Sequence, residues 1–190
     1  MTAPEDVQPF AEKIYGETHR LIALVEDIIS LSRLDEGGKE LAFSSVKLYD
    51  IVSGVADNLS GLAAQSGIRL TASGDDTVVT GVPELIRGIV YNLCDNAIKY
   101  NRPGGQVEVT VRGNSLIVKD TGIGIPQEHL GRIFERFYRV DKSRSKAVGG
   151  TGLGLSIVKH AALIHKAETK VESTVGEGTT VTVTFPKEDL

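Results

Sequence analysis

Asp120-Thr121-Gly122-Ile123-Gly124-Ile125-Pro126 and Gly149-Gly150-Thr151-Gly152-Leu153-Gly154-Leu155 follow a helix-like segment that carries Asn92 and Asn96. In the first stretch an acidic residue ends a short apolar run, Leu116 to Val118, and two glycines then bracket an isoleucine. Glycines let the backbone approach a flat ring closely, while the carboxylate accepts a hydrogen bond. Adenine presents an exocyclic amino donor where guanine presents an acceptor, so a fixed acceptor selects adenine by leaving the other base unpaired. The second stretch opens a helix, where backbone donors suit phosphate oxygens. Alone, the first stretch reads most simply as a turn, and the basic segment leading into the second reads equally well as a solvated loop. Together they suit a single ATP molecule.

Asn92, Asn96 and Lys99 are spaced i, i+4, i+7 and share one helical stripe beside the apolar face. A side-chain amide offers Mg²⁺ a hard, uncharged oxygen, and Mg²⁺ takes its remaining ligands from water and phosphate. Asn96 is the expected metal ligand. A polar stripe by itself is ordinary, and the neighbouring glycine clusters are what give this one its meaning. The Gly149–Gly154 cluster lacks the lysine of a P-loop and the glycine spacing of a dinucleotide fingerprint. It is preceded by a polar, basic stretch, Tyr138 to Lys146, including Arg139, Lys142 and Arg144, that suits a loop folding over a triphosphate.

The bulk composition narrows the alternatives. A hydrophobic content of 41% over 190 residues supports one core plus an extra element. A formal charge of -4, with no basic stripe beyond the local cluster around Arg136 and Arg139, gives no reason to expect nucleic acid as a partner. One cysteine, Cys94, excludes an internal disulfide and suits a reducing compartment. No window reaches the length of a membrane span.

Periodicity supplies the elements. Ile14, Leu21, Leu24, Val25, Ile28, Ile29 and Leu31 predict a helix over Phe10–Leu34, broken at Asp35-Glu36-Gly37-Gly38. At about 1.5 Å per residue it runs roughly 40 Å, so part of its stripe is expected to face another helix or chain. The pattern then gives a strand over Leu41–Val46, a helix over Leu48–Gln65, and strands near Ile68–Ala72 and Val78–Thr80. Pro83 opens a helix ending near Asn101. Strands follow at Val107–Val111 and Leu116–Val118, then a helix over Thr151–His165 and a strand over Thr179–Phe185. The expected fold class is α+β: a two-layer sandwich with helices on one face of a mixed sheet, preceded by the long helix. Residues 1–38 and 39–190 are the two expected units.

Asn92-Leu93-Cys94-Asp95-Asn96-Ala97-Ile98-Lys99-Tyr100 resembles the N box of sensor histidine kinases. Asp120–Gly124 resembles their G1 box, Ile133-Phe134-Glu135-Arg136-Phe137-Tyr138 their F box, and Gly150–Gly154 their G2 box. Leu21–Leu34 resembles the second helix of the dimerisation hairpin, so the resemblance spans essentially the whole chain. It implies the Bergerat ATP-binding fold, with ATP and Mg²⁺ as cofactors. It further implies that Asn96 ligates Mg²⁺, that Asn92 and Lys99 approach the phosphates, that Tyr100 lines the pocket and that Asp120 holds the adenine amine. Gly122, Gly124, Gly150, Gly152 and Gly154 would shape the pocket and lid. Ile125, Phe137, Tyr138, Thr151 and Leu153 complete the implied nucleotide site, with Asn92, Lys99 and Arg139 as the implied catalytic residues.

The implied reaction transfers the γ-phosphoryl group to a histidine, for relay to a response regulator. No histidine here has the acceptor surround, an acid next and threonine or asparagine four positions on. His19 is followed by Arg20, and His129, His160 and His165 also lack that surround. The chain is therefore expected to be an excised or truncated kinase that binds Mg·ATP without phosphorylating itself. Its implied partners are the response regulator, an acceptor-histidine helix of the same or a sister chain, and a second copy in a homodimeric parent. The implied location is the cytoplasmic portion of a bacterial membrane protein. A smaller departure, Lys166-Ala167 where the family commonly has glycine, is expected to matter only locally. Two rivals are an anti-sigma-type serine kinase, which would place glutamate where Asn92 stands, and a nucleotide-sensing module without catalysis.

Overall fold

A computed structural model describes residues 4–35, 41–140 and 150–187. In chain order the elements are α1 (Pro4–Asp35), β1 (Ser44–Lys47), α2 (Leu48–Gln65), β2 (Arg69–Gly74), β3 (Val78–Gly81) and α3 (Pro83–Lys99). They continue with β4 (Gln106–Arg112), β5 (Ser115–Asp120), the single turn α4 (Gln127–Leu130), α5 (Gly154–Ile164), β6 (Glu168–Thr174) and β7 (Gly178–Thr184).

Alternation along the central strands builds the sheet. Val107, Val109 and Val111 of β4 are buried while Glu108 and Arg112 are exposed, so one face is apolar. Register carries that face across: Val109 opposes Val118, Val111 opposes Leu116, and these two oppose Val181 and Val183 of β7. The five strands run β2-β4-β5-β7-β6, antiparallel except for β2 beside β4. This leaves β5 at the centre, with Asp120 as its last residue. A separate two-stranded ribbon pairs β1 with β3.

The helices cover the apolar face. α3 contacts both α2 and α5. Its buried Ile86, Ile89, Val90, Leu93, Cys94, Ala97 and Ile98 form the stripe expected at helical spacing. Burying each larger side chain stabilises the fold by about 1.5–3 kcal/mol, which holds the helix against rotation. Asn92, Asn96 and Lys99 are thereby fixed at the margin of the core, half-buried. Pro83 occupies the first turn of α3, where its missing N–H has no intrahelical role.

Some expectations shift. The strand expected over Leu41–Val46 is confined to β1, Ser44–Lys47. The helix expected from Thr151 begins at Gly154, because Gly152 takes a left-handed φ of 78° and the Thr151 hydroxyl receives the Leu153 N–H. β6 has no counterpart in the sequence reading, since Glu168–Thr174 is an edge strand with largely polar side chains on both faces. α1 starts earlier than the Phe10 suggested by periodicity. Among its described side chains Leu31 is buried against the rest and Leu24 packs on the same group, while Ile14, Leu21, Ile22, Val25, Ile28 and Ile29 are exposed. The Gly37-Gly38 boundary lies outside the described residues. Among the described residues no helix is long and apolar enough to cross a membrane.

Candidate functional site

The turn after β5 is held from three sides. Asp120 Oδ1 accepts the Gly122 N–H at 2.8 Å and the Thr179 N–H at 3.2 Å. Ile123 N–H donates to Tyr100 O at 3.0 Å, tying the turn to the end of α3, and Ile125 N–H donates to Ser173 Oγ at 2.8 Å. Gly124 sits at φ 69°, where a side chain would strike the Thr174 backbone. With Oδ1 committed to two backbone donors, Oδ2 is the acceptor that Asp120 presents. Burial pushes the Asp120 carboxyl above the usual carboxylate range, opposed by the two backbone hydrogen bonds.

Asp120 lines a cavity of about 330 Å³ whose wall also includes Asn92, Asn96, Lys99 and Tyr100 from α3. That volume lies in the range of small-molecule sites. The apolar part of the wall comes from Ile123, Ile125, Ile133, Val118 and Val181, with Gly124 and Thr179 beside them. At the α3 end, Asn92 Nδ2 donates to Gly88 O at 2.9 Å, leaving its Oδ1 toward Gly154. A Cβ on Gly154 would come within 2.6 Å of that oxygen, so any larger residue there would push the Asn92 amide aside. Lys99 Nζ pairs with Asp95 Oδ2 at 2.6 Å, and both residues line the cavity.

The remaining wall comes from Tyr138, Arg139, Gly150, Thr151, Gly152 and Gly154. Tyr138 is fixed by its hydroxyl, 2.6 Å from His129 Nδ1, and by the Arg132 guanidinium over its ring at 4.4 Å. Arg139 Nε and Nη2 are buried and find no hydrogen-bond partner among the described residues. Buried donors without a partner are costly, so this guanidinium marks a place where an acceptor, and given its charge an anion, belongs.

Three residues assigned to the site from the resemblance stand outside the cavity wall. Gly122 acts through the turn, where its N–H bonds Asp120 and a side chain would meet the Tyr100 carbonyl. Phe137 is 61% exposed at φ 62° and holds Gly152 through its backbone N–H, so its ring points away. Leu153 is fully buried against Leu31 and Ile157. Lys142, Arg144, Lys146 and Gly149 lie outside the described residues. Gly178 and Thr179 went unrecognised in the sequence. The turn before the last strand, Gly176-Glu177-Gly178, was the available signal, since Gly178 at φ 128° lets the chain cross the Asp120 carbonyl. Among the described residues no three His, Cys, Asp or Glu side chains gather as a metal site.

Comparison with known proteins gives the same picture. The family described as histidine kinase-, DNA gyrase B-, and HSP90-like ATPase matches residues 81–189. The sensor-like histidine kinase SenX3 of Mycolicibacterium smegmatis is 39% identical over 189 residues, covering 97% of this chain and 49% of the relative. The sensor histidine kinase WalK of Bacillus subtilis is 34% identical, covering 96% and 31%. The chain thus spans about half the length of SenX3 and less of WalK. Among solved structures, the mycobacterial sensor histidine kinase MprB matches with a TM-score of 0.64 at 27% identity, covering 76% of this chain and 97% of that one. The fold also matches histidine kinase ThkA, solved in complex with the response regulator TrrA, with a TM-score of 0.75 at 23% identity, covering 98% and 53%. With more than half of its residues inside the matched region, the chain belongs to the histidine kinase-, DNA gyrase B-, and HSP90-like ATPase family, as a catalytic ATP-binding domain of the sensor histidine kinase type.

Proposed function

We propose that this chain is the ATP-binding catalytic portion of a sensor histidine kinase, transferring the γ-phosphoryl group to a histidine on an acceptor helix, for relay to a response-regulator aspartate. The observation that carries this is one cavity lined by Asp120 together with Asn92, Asn96 and Arg139. Asp120 Oδ2 receives the adenine amine, while the apolar wall of Ile123, Ile125 and Val181 covers the ring. Arg139 Nε and Nη2 meet the phosphates, where their burial without partners makes an anion fit. Lys99 exchanges Asp95 for phosphate.

Mg²⁺ fits this donor set. The amide oxygens of Asn96 and Asn92 are hard ligands, and Mg²⁺ takes most of its remaining ligands from phosphate and water. When bound it neutralises phosphate charge and aligns the transferred group. Asn96 would hold it, with Asn92 beside it. The chain's own task is chiefly positioning: the acceptor imidazole is a neutral nucleophile, so a bond from its nitrogen to phosphorus forms as the bond to the ADP oxygen breaks. The amide of Asn92 cannot serve as a general base, which favours a histidine over a serine or water as acceptor.

We also read residues 1–38 as the second helix of a dimerisation hairpin and 39–190 as the catalytic domain. The exposed Ile14, Leu21, Val25 and Ile28 of α1, spaced seven, four and three residues apart, support a helical partner in a homodimer. The test supplies a separate acceptor-helix protein and labelled ATP to the chain. Acid-labile phosphate on the supplied histidine, and none on this chain alone, supports the reading. Transfer to a serine peptide instead, or no transfer by a chain that binds ATP, overturns it.

A further inference from the structure

We infer that His129 is a positioning residue for phosphate recognition, holding Tyr138 by its hydroxyl so that Arg139, the next residue, keeps its guanidinium in the cavity. This rests on the nucleotide reading of the cavity. His129 lacks the acceptor surround, and the fold gives it a different partner. Its Nδ1 lies 2.6 Å from the Tyr138 hydroxyl, with the two rings tilted and their centroids 6.1 Å apart. Either ring tautomer makes this bond, the hydroxyl donating to a bare Nδ1 or accepting from a protonated one. The Arg132 guanidinium lies over the face of the same ring, 4.4 Å from its centroid, and is itself held by Glu135 through bonds of 3.1 and 3.3 Å. Tyr138 is thus gripped at its tip and on its face.

His129 ties two parts of the cavity wall together. Its N–H donates to Pro126 O at 2.9 Å, and its carbonyl accepts the Arg132 N–H at 2.9 Å and the Ile133 N–H at 3.2 Å. Pro126 follows Ile125 of the turn that carries Asp120, and Ile125 and the buried Ile133 both line the cavity. The imidazole therefore stands on backbone fixed from the adenine side. The segment that delivers Arg139 is held by its own backbone, since Phe137 N–H donates to Gly152 O at 2.9 Å and Tyr138 N–H to Glu135 O at 3.2 Å. Gly152 lies so close that a Cβ there would sit 3.3 Å from Arg139 Cγ. These bonds set where Tyr138 begins, and His129 sets where its ring ends. A ring released from His129 turns about its own bonds, and the guanidinium one residue on shifts with the loosened segment. Arg139 lines the cavity with Nε and Nη2 buried, so a misplacement of about 1 Å weakens its bonds to phosphate while the adenine end stays intact. A bond that merely stabilised α4 would instead affect every ligand alike.

Calorimetric titration of the 190-residue chain with ATP and with adenosine, beside its His129→Ala, His129→Asn and Tyr138→Phe variants, tests this. His129→Ala should weaken ATP about three- to tenfold, the worth of one hydrogen bond, and leave adenosine almost unchanged. Asparagine puts a polar atom where Nδ1 stands and should recover most of the affinity. Tyr138→Phe keeps the ring and drops the hydroxyl, so it should match His129→Ala, and the two together should cost no more than either alone. In a chain already carrying Arg139→Ala, His129→Ala should cost nothing further. Unchanged ATP affinity in both His129→Ala and Tyr138→Phe, an equal loss for adenosine, or an undiminished loss without Arg139 would reduce the contact to a structural one and overturn the inference. If the unaltered chain binds no nucleotide at all, the reading of the cavity fails and the inference with it. Melting profiles matching the unaltered chain separate these outcomes from misfolding, and Tyr138→Phe carries the test if His129→Ala does not fold.

Discussion

Replacing Asp120 by asparagine should separate binding from stability. The substituted side chain keeps its Oδ1 beside the Gly122 and Thr179 N–H groups, so the turn survives. At the other position an oxygen becomes an NH₂, which faces the adenine amine donor to donor. Loss of a hydrogen bond to a charged acceptor costs about 1.5–3 kcal/mol, or about 10- to 150-fold in Kd for ATP. Stability should move the other way. Because burial raises the folded-state pKa of Asp120 above its ordinary 3.8, its favourable contribution is present below that value and lost as pH rises through the raised pKa. At pH 7 the buried charge is a net cost, which outweighs its two backbone hydrogen bonds, and the amide removes it. Calorimetry with ATP and urea denaturation at pH 7 check the pair of effects. An Asp120→Asn chain that binds ATP as well as the original refutes the adenine role. One that is clearly less stable refutes the electrostatic reasoning.

Other consequences are equally accessible. Arg139→Ala should weaken ATP about tenfold or more while leaving the nucleotide-free melting temperature unchanged or higher, because two buried unpaired donors disappear. Stability should fall as pH drops below 6.5: burial lowers the pKa of His165, whose Nδ1 bonds Ala161 O and whose Nε2 accepts the Val82 N–H. Its contribution, present above the unfolded value, is lost as pH falls through the lowered one, and His165→Gln should flatten the melting temperature between pH 7.5 and about 5. Cys94, pushed up to about 12 chiefly by burial, should resist thiol reagents until urea unfolds the chain. Rapid labelling of the native protein would contradict that.

Much of this arrangement could be read from residue patterns. α2 runs over Leu48–Gln65 as its periodicity indicates, β4 and β7 declare themselves by alternating valines, and β5 by its short apolar run Leu116–Val118. These elements each bury one clear face, so local pattern and tertiary packing agree. β6 was illegible for the opposite reason: Val171 stands alone among polar residues, and its pairing with β7 is decided by the neighbour rather than by its own sequence. Asp120, Asn96, Gly124, Gly150, Gly152 and Gly154, which line one cavity, could be picked out because each belongs to a pattern local to a turn or a helical stripe. The Thr179 donor could not, since its bond to Asp120 joins residues far apart in the chain. The start of α5 depended on a hydroxyl cap and one left-handed glycine, which periodicity does not report.

On this reading one triphosphate nucleotide is held by both Asp120 and Asn96 in a shared cavity. A crystal structure of the chain with Mg²⁺ and a non-hydrolysable ATP analogue tests it most directly. The adenine amine is expected on Asp120 Oδ2, the metal on the Asn96 amide oxygen and the phosphates against Arg139. A nucleotide bound elsewhere, or lying in the cavity with its base at Asn96 and its phosphates at Asp120, would contradict it.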